Sequence, residues 1–192
     1  MLDERRGLKE IGKQAVWTLS TAKPGNGIAQ LRDNNLETFW QSLNCSRLKR
    51  SDGPQPHFIN IQFHKIVKVK EVAFYFDYKK DESYTPQRII IRAGSSAYDL
   101  REIRAVEWKE PCGWHYVTFL EKDDDSAEQD ETDESGPTKV ISTNMIQIVV
   151  EANHQNGRDT HIRQIKIFGP CNFASMDVSF STVEFSKYSY IR

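Results

Sequence analysis

The sequence predicts an all-β fold, an antiparallel β-sandwich or jelly roll, and three observations carry that expectation. Short segments that alternate apolar and polar residues recur along the chain, the mark of half-buried strands. No long amphipathic helical pattern separates them, which argues against parallel βαβ units. No self-similar period of roughly 20–50 residues is visible, which argues against propellers and solenoids. With 192 residues, 38% apolar and 11% aromatic, the chain can bury the core of one domain of usual size.

Taken in order, AVWTL (15–19) is a weak strand candidate and GIAQLRD (27–33) a short helical turn. HFINIQF (57–63) sets Ile59, Ile61 and Phe63 on one face against Phe58, Asn60 and Gln62 on the other. VKVKEVAFYFDY (67–78) alternates and then becomes apolar on both faces, as a central strand does. QRIIIRA (87–93), REIRAVEW (101–108, weaker), GWHYVTFL (113–120), MIQIVVEA (145–152) and RQIKIF (163–168) complete the set. Two segments read as insertions, LNCSRLKR (43–50) and EKDDDSAEQDETDES (121–135). After Pro170 the alternation fades, so the chain divides into a domain over 1–170 and an extended tail over 171–192.

The formal charge of -1 hides a division. Residues 121–135 hold nine acids and one lysine, a sum of -8, which leaves the remainder at +7. A run of that kind has no apolar area to offset its ordering entropy, so it is expected to be a disordered, dispensable loop. The start, MLDERRGLKE, lacks an apolar stretch, and the longest apolar run, VAFYF, falls far short of the roughly 18 residues that cross a bilayer. No secretory signal and no membrane association are expected. Cys45, Cys112 and Cys171 lie far apart without a C-x-x-C pair, which speaks against a zinc site or a disulfide framework. A reducing compartment, nucleus or cytoplasm, fits that usage.

Polar clusters fall between the predicted strands: LRDNNLETFWQS (31–42), DYKKDESYTP (77–86) and NHQNGRDTH (153–161). Loops from alternate strands collect at one end of a sandwich, so these three are expected to form one surface of exposed polar groups. Asp81, Glu82 and Asp159 could supply a carboxylate pair and His154 and His161 could act as bases. Yet no nucleophile elbow, zinc-protease, phosphate-loop or dinucleotide fingerprint accompanies them, so no enzyme and no cofactor are expected. The five histidines show no metal spacing. Asp33, Asn34 and Asn35 could offer oxygen ligands to calcium, but a turn with a helix cap is the preferred reading of DNN. The basic RLKR sits in one insert and no aromatic stacking motif accompanies it, which argues against nucleic acid.

The blocks REIRAVEW, DNNLETFWQS, DGPQPHFINIQF, DYKKDESYTP and above all ANHQNGRDTHIRQIKIF resemble the Doc domain of subunit 10 of the anaphase-promoting complex, over residues 8–170. The chain also ends in Tyr190-Ile191-Arg192, and a terminal Ile-Arg is a hallmark of that family. Where the family reads WQSDG, this chain reads WQS, LNCSRLKR and then SDG, which leaves Ser42 and Ser51 as alternatives for one position. The resemblance implies a jelly roll similar to galactose-binding domains and a non-catalytic role in a ubiquitin ligase of the cell cycle. It implies that one end of the sandwich binds the destruction-box degron of substrates, shared with a propeller-shaped (WD40) coactivator, and so raises processivity. Carried over by position, Ser83, Asn156, Asp159, Thr160 and His161 would face the degron. Ile191 and Arg192 would dock the tail on a tetratricopeptide-repeat scaffold subunit. The alternative that the same residues leave open is a carbohydrate-binding module, since Asn, Asp and His also recognise hydroxyls.

Overall fold

A computed structural model describes residues 7–43, 56–119 and 139–171. The inserts at 43–50 and 121–135 (Leu43 apart), Ser51 and the tail with Ile191 and Arg192 lie outside them.

Eleven strands are present among the described residues: β1 (Leu8–Glu10), β2 (Ala15–Leu19), β3 (Trp40–Gln41), β4 (His57–Val69), β5 (Glu71–Asp77), β6 (Pro86–Gly94), β7 (Arg101–Glu107), β8 (Cys112–Thr118), β9 (Ile141–Asn153), β10 (His161–Ile162) and β11 (Gln164–Pro170). Two short helices, α1 (Ile28–Arg32) and α2 (Tyr78–Asp81), complete the fold with a few 3-10 turns. A five-stranded sheet in the order β2-β4-β9-β6-β7 faces a four-stranded sheet in the order β1-β11-β5-β8, and β10 pairs with β3 beside them. Every pairing is antiparallel. The expected jelly-roll sandwich is what the chain forms.

Alternation decides which side chains meet between the sheets. Ile59, Ile61 and Phe63 of β4, Ile89 and Ile91 of β6, and Ile146, Ile148 and Val150 of β9 pack against Val72, Phe74 and Phe76 of β5 and Ile165 and Ile167 of β11. All of these are buried, and a fully buried aliphatic or aromatic side chain contributes about 1.5–3 kcal/mol. The stretch 67–78, expected to be one strand, is instead the end of β4 and all of β5, divided at Lys70. The reason is visible in parity: Val67 and Val69 are odd, whereas Val72, Phe74 and Phe76 are even. The slip of one residue moves the chain from the five-stranded to the four-stranded sheet while keeping its apolar side chains inward. The weak candidates at 15–19 and 101–108 become β2 and β7, the two edges of the larger sheet.

Candidate functional site

β5 and β9 end, and β6 begins, at the same pole of the sandwich. The three polar clusters therefore converge there. From Asp77 the chain turns through α2 and a 3-10 turn (Glu82–Tyr84) into β6. From Asn153 it turns through His154–Asn156, where Gln155 (φ 52°) and Asn156 (φ 54°) both adopt left-handed backbone. Gly157 follows, and its α-carbon lies so close to the Ser83 carbonyl that a β-carbon there would collide with it. The Thr85 carbonyl accepts from the His154 backbone N–H at 3.0 Å and from its ring Nδ1 at 3.0 Å. The third cluster joins through β10–β3 pairing, which sets His161 opposite Gln41, and through Lys80, whose ammonium bonds both Glu37 carboxylate oxygens at 2.8 Å.

At the centre lies a buried ion pair. Arg163 donates from Nε to Asp81 Oδ2 at 2.8 Å and from Nη2 to Asp81 Oδ1 at 2.9 Å, a bidentate geometry that suits guanidinium and carboxylate. Its Nη1 donates to the Leu36 carbonyl at 2.8 Å. Burial pushes the Asp81 carboxyl up, but hydrogen bonds from His161 and Arg163 and the charge of Arg163 outweigh it and hold the group below the ordinary aspartate range. His161 Nδ1 stands 3.3 Å from Asp81 Oδ1. The imidazole is layered between Phe39 (centroids 4.2 Å apart, planes 24°) and Tyr84 (4.4 Å, 8°). Its other nitrogen, Nε2, is enclosed and has no hydrogen-bond partner.

The expected site residues divide between outward and inward positions. Asn156 is exposed, Ser83 and Asp159 are half-buried, and Asp159 Oδ1 is enclosed without a partner. Thr160 and His161, expected among exposed loop groups, are buried, and this is a correction. The Thr160 hydroxyl bonds the Asn153 amide (3.1 Å to Oδ1), and its backbone N–H donates to Ser42 Oγ at 2.8 Å. The Asn153 amide nitrogen also reaches the Gly157 and Asp159 carbonyls at 3.1 and 2.9 Å, closing the loop from within. Ser42, one of two alternatives at its position, is thus tied to this loop.

Asp81 is committed to Arg163 and is not available as a free member of a carboxylate pair. His154 uses both ring nitrogens, donating to Thr85 and accepting the Glu110 backbone N–H at 3.2 Å. Asp33 caps the C-terminus of α1, and its oxygens accept from the Asn35 N–H (2.7 Å), the Thr38 hydroxyl (2.7 Å) and the Gln164 amide (2.8 Å), the turn-and-cap arrangement. Among the described residues no group of three or more His, Cys, Asp or Glu side chains could hold a metal ion, and no helix is long and apolar enough to cross a membrane. Phe39, Asn153 and Arg163 carry the site's architecture without having been singled out by sequence. The one available signal was their adjacency to residues that were.

The sequence model of the family "Anaphase-promoting complex, subunit 10 (APC10)" matches residues 3–190. Anaphase-promoting complex subunit 10 of Homo sapiens is 47% identical over 192 residues, covering 98% of this chain and 91% of its own length. The protein of the same name from Mus musculus is 46% identical over 193 residues, covering 100% and 92%. Among solved structures, a family 32 carbohydrate-binding module of Clostridium perfringens NanJ, in complex with galactose, superimposes with a TM-score of 0.59 over 84% of this chain and 98% of its own. At 15% identity that likeness establishes the jelly-roll fold alone. The full-length match of the family and of relatives near half identity establishes that this chain belongs to the family of anaphase-promoting complex subunit 10.

Proposed function

We propose that this chain is a non-catalytic subunit of the anaphase-promoting complex, working in the nucleus and cytoplasm, and that its three-loop pole is the part that helps to capture substrates. Ser83, Asn156, Asp159 and His161 would meet the destruction-box degron, with Thr160 holding the loop from behind. The observation that carries this reading is the convergence of three loops on one pole, with the Asn156 amide exposed and polar atoms of Asp159 and His161 lacking partners. An extended peptide presents amides and carbonyls that such groups can satisfy. Sharing the degron with a WD40 coactivator lets each contact stay weak while the pair gains effective concentration, which would raise processivity. The tail would join the chain to a tetratricopeptide-repeat scaffold subunit through Ile191 and Arg192, an apolar side chain and a guanidinium suited to a concave groove.

The test combines Ser83→Ala with Asn156→Gly, glycine being chosen because it accepts the left-handed backbone at that position. In the reconstituted ligase this variant is expected to assemble normally and to build shorter ubiquitin chains on destruction-box substrates. Normal chain length with normal assembly would refute the assignment of this pole. Binding of galactose by the isolated chain, lost in the same variant, would favour a sugar-binding role.

A further inference from the structure

We propose that Asp81 and Arg163 are positioning residues that present His161 Nε2 as a hydrogen-bond acceptor, so that the bound segment must offer an N–H at that point. The proposal rests on the recognition role proposed above and adds the chemistry of one contact within it.

Asp81 is a carboxylate and can only accept. Its two oxygens face Arg163 and the His161 Nδ1, so Nδ1 carries the hydrogen. In the neutral ring the lone pair then falls on Nε2. Arg163 balances the charge of Asp81, so the pair that orients the ring is neutral as a unit. Phe39 and Tyr84 stack on the two faces of the imidazole, and the guanidinium of Arg163 lies 5.7 Å from the Phe39 ring centroid, which ties the lower layer to the same pair. Held by both faces and by one edge, the ring keeps only Nε2 without a partner, and a bound segment reaches it where Tyr84, the exposed layer of the stack, gives way. That atom is enclosed and unpaired, and Tyr84, 41% exposed, is the outermost member of the stack. Seven side-chain atoms among the described residues are buried without a partner, and two of them, His161 Nε2 and Asp159 Oδ1, lie in this loop, where each calls for one.

His154 is the internal control. It too directs Nδ1 to an acceptor, the Thr85 carbonyl, but its Nε2 is already filled by the Glu110 N–H. One histidine of the loop is closed and serves structure; the other keeps one nitrogen open. An acceptor at Nε2 suits a backbone amide or carboxamide N–H. It would oppose a carbonyl or carboxylate placed there, lone pair against lone pair.

Two measurements test this. Nitrogen NMR of the full chain at pH 8, with His161 identified by its loss in His161→Gln, should show a protonated Nδ1 and an unprotonated Nε2. Asp81→Asn supplies an amide that can donate to Nδ1 and should move the proton to Nε2, the tautomer exchange that an aspartate-to-asparagine change causes in a catalytic triad. Should Asp81→Asn fail to fold, Asp81→Asn with Arg163→Gln removes both charges together and serves the same purpose. A wild-type ring protonated at Nε2 overturns the proposal.

The second measurement replaces each backbone N–H of a destruction-box substrate peptide in turn by an ester oxygen, in the reconstituted ligase with coactivator. One position should lose about tenfold with the wild-type chain, the worth of a single hydrogen bond. That loss should vanish with Asp81→Asn. A loss that persists in Asp81→Asn, or no sensitive position at all, overturns the acceptor role. In the latter case, chain shortening by Ser83→Ala with Asn156→Gly shows that the recognition role itself survives, and its absence shows that both have failed.

Discussion

Two sets of residues within one loop, Asn153 to Arg163, share the same polar chemistry and face opposite ways. Asn153, Thr160, His161 and Arg163 are buried and bonded to neighbouring elements, whereas Gln155, Asn156 and Arg158 are exposed. The inward set builds the loop, with only the Nε2 of His161 left unpaired, and the outward set is exposed to solvent. The lesson is that replacing the polar residues of this loop together changes scaffold and surface at once, and only single positions separate them.

The largest effect should come from the inward set. Arg163→Ala leaves Asp81 charged and unpaired in the interior, which destabilises by about 3–5 kcal/mol in denaturant unfolding. A loss below about 1 kcal/mol would mean that the pair behaves like a surface contact and that the inward set is not a scaffold. Acid probes the same pair. The folded Asp81 carboxyl lies below its ordinary value, so its contribution is fully present above about pH 4 and is lost as the pH falls through the folded value. Stability measured against pH should show that acid limb in the wild type and a flatter one in Arg163→Ala.

Gly157→Ala tests the seam between the two sets. Its β-carbon would meet the Ser83 carbonyl, a backbone atom that cannot rotate away. The expected loss is about 1–3 kcal/mol, with NMR shift changes spreading to Ser83 and Asn156. Thr160→Val removes the hydroxyl that Asn153 holds and should lower stability by about 1–2 kcal/mol in the same assay. Asn156→Gly should be the smallest, within about 0.5 kcal/mol, while still shortening ubiquitin chains. A stability loss as large as that of Thr160→Val would erase the distinction between outward and inward residues.

The strands were legible because a period of two survives even in edge strands such as Ala15–Leu19 and Arg101–Glu107. Convergence of the three clusters was legible too, since antiparallel neighbours deliver alternate loops to one end. What resisted was orientation within those loops. Irregular backbone has no period, so nothing in NHQNGRDTH distinguishes the buried Thr160 from the exposed Asn156. The Asp81–Arg163 pair joins residues 82 positions apart, and the Phe39–His161–Tyr84 layers come from three separate segments. Contacts of that range depend on the completed sandwich rather than on any local pattern. The break at Lys70 was written in the parity of the valines, a signal that a search for continuous apolar runs passes over.

Beyond Phe119 the chain returns at Lys139, and the Lys139 backbone N–H bonds the Phe119 carbonyl at 2.6 Å. Exit and re-entry are therefore one point of the framework. Closing a longer excursion across such a fixed gate rises only with the logarithm of its length, roughly 0.6 kcal/mol for each doubling. A fluorescent or affinity module spliced between Phe119 and Lys139 is therefore expected to leave both sheets unstretched, which an unchanged unfolding transition would check. A reporter seated there would leave both chain ends in their native chemistry, so assembly and substrate capture could be followed on a chain whose own termini are untouched.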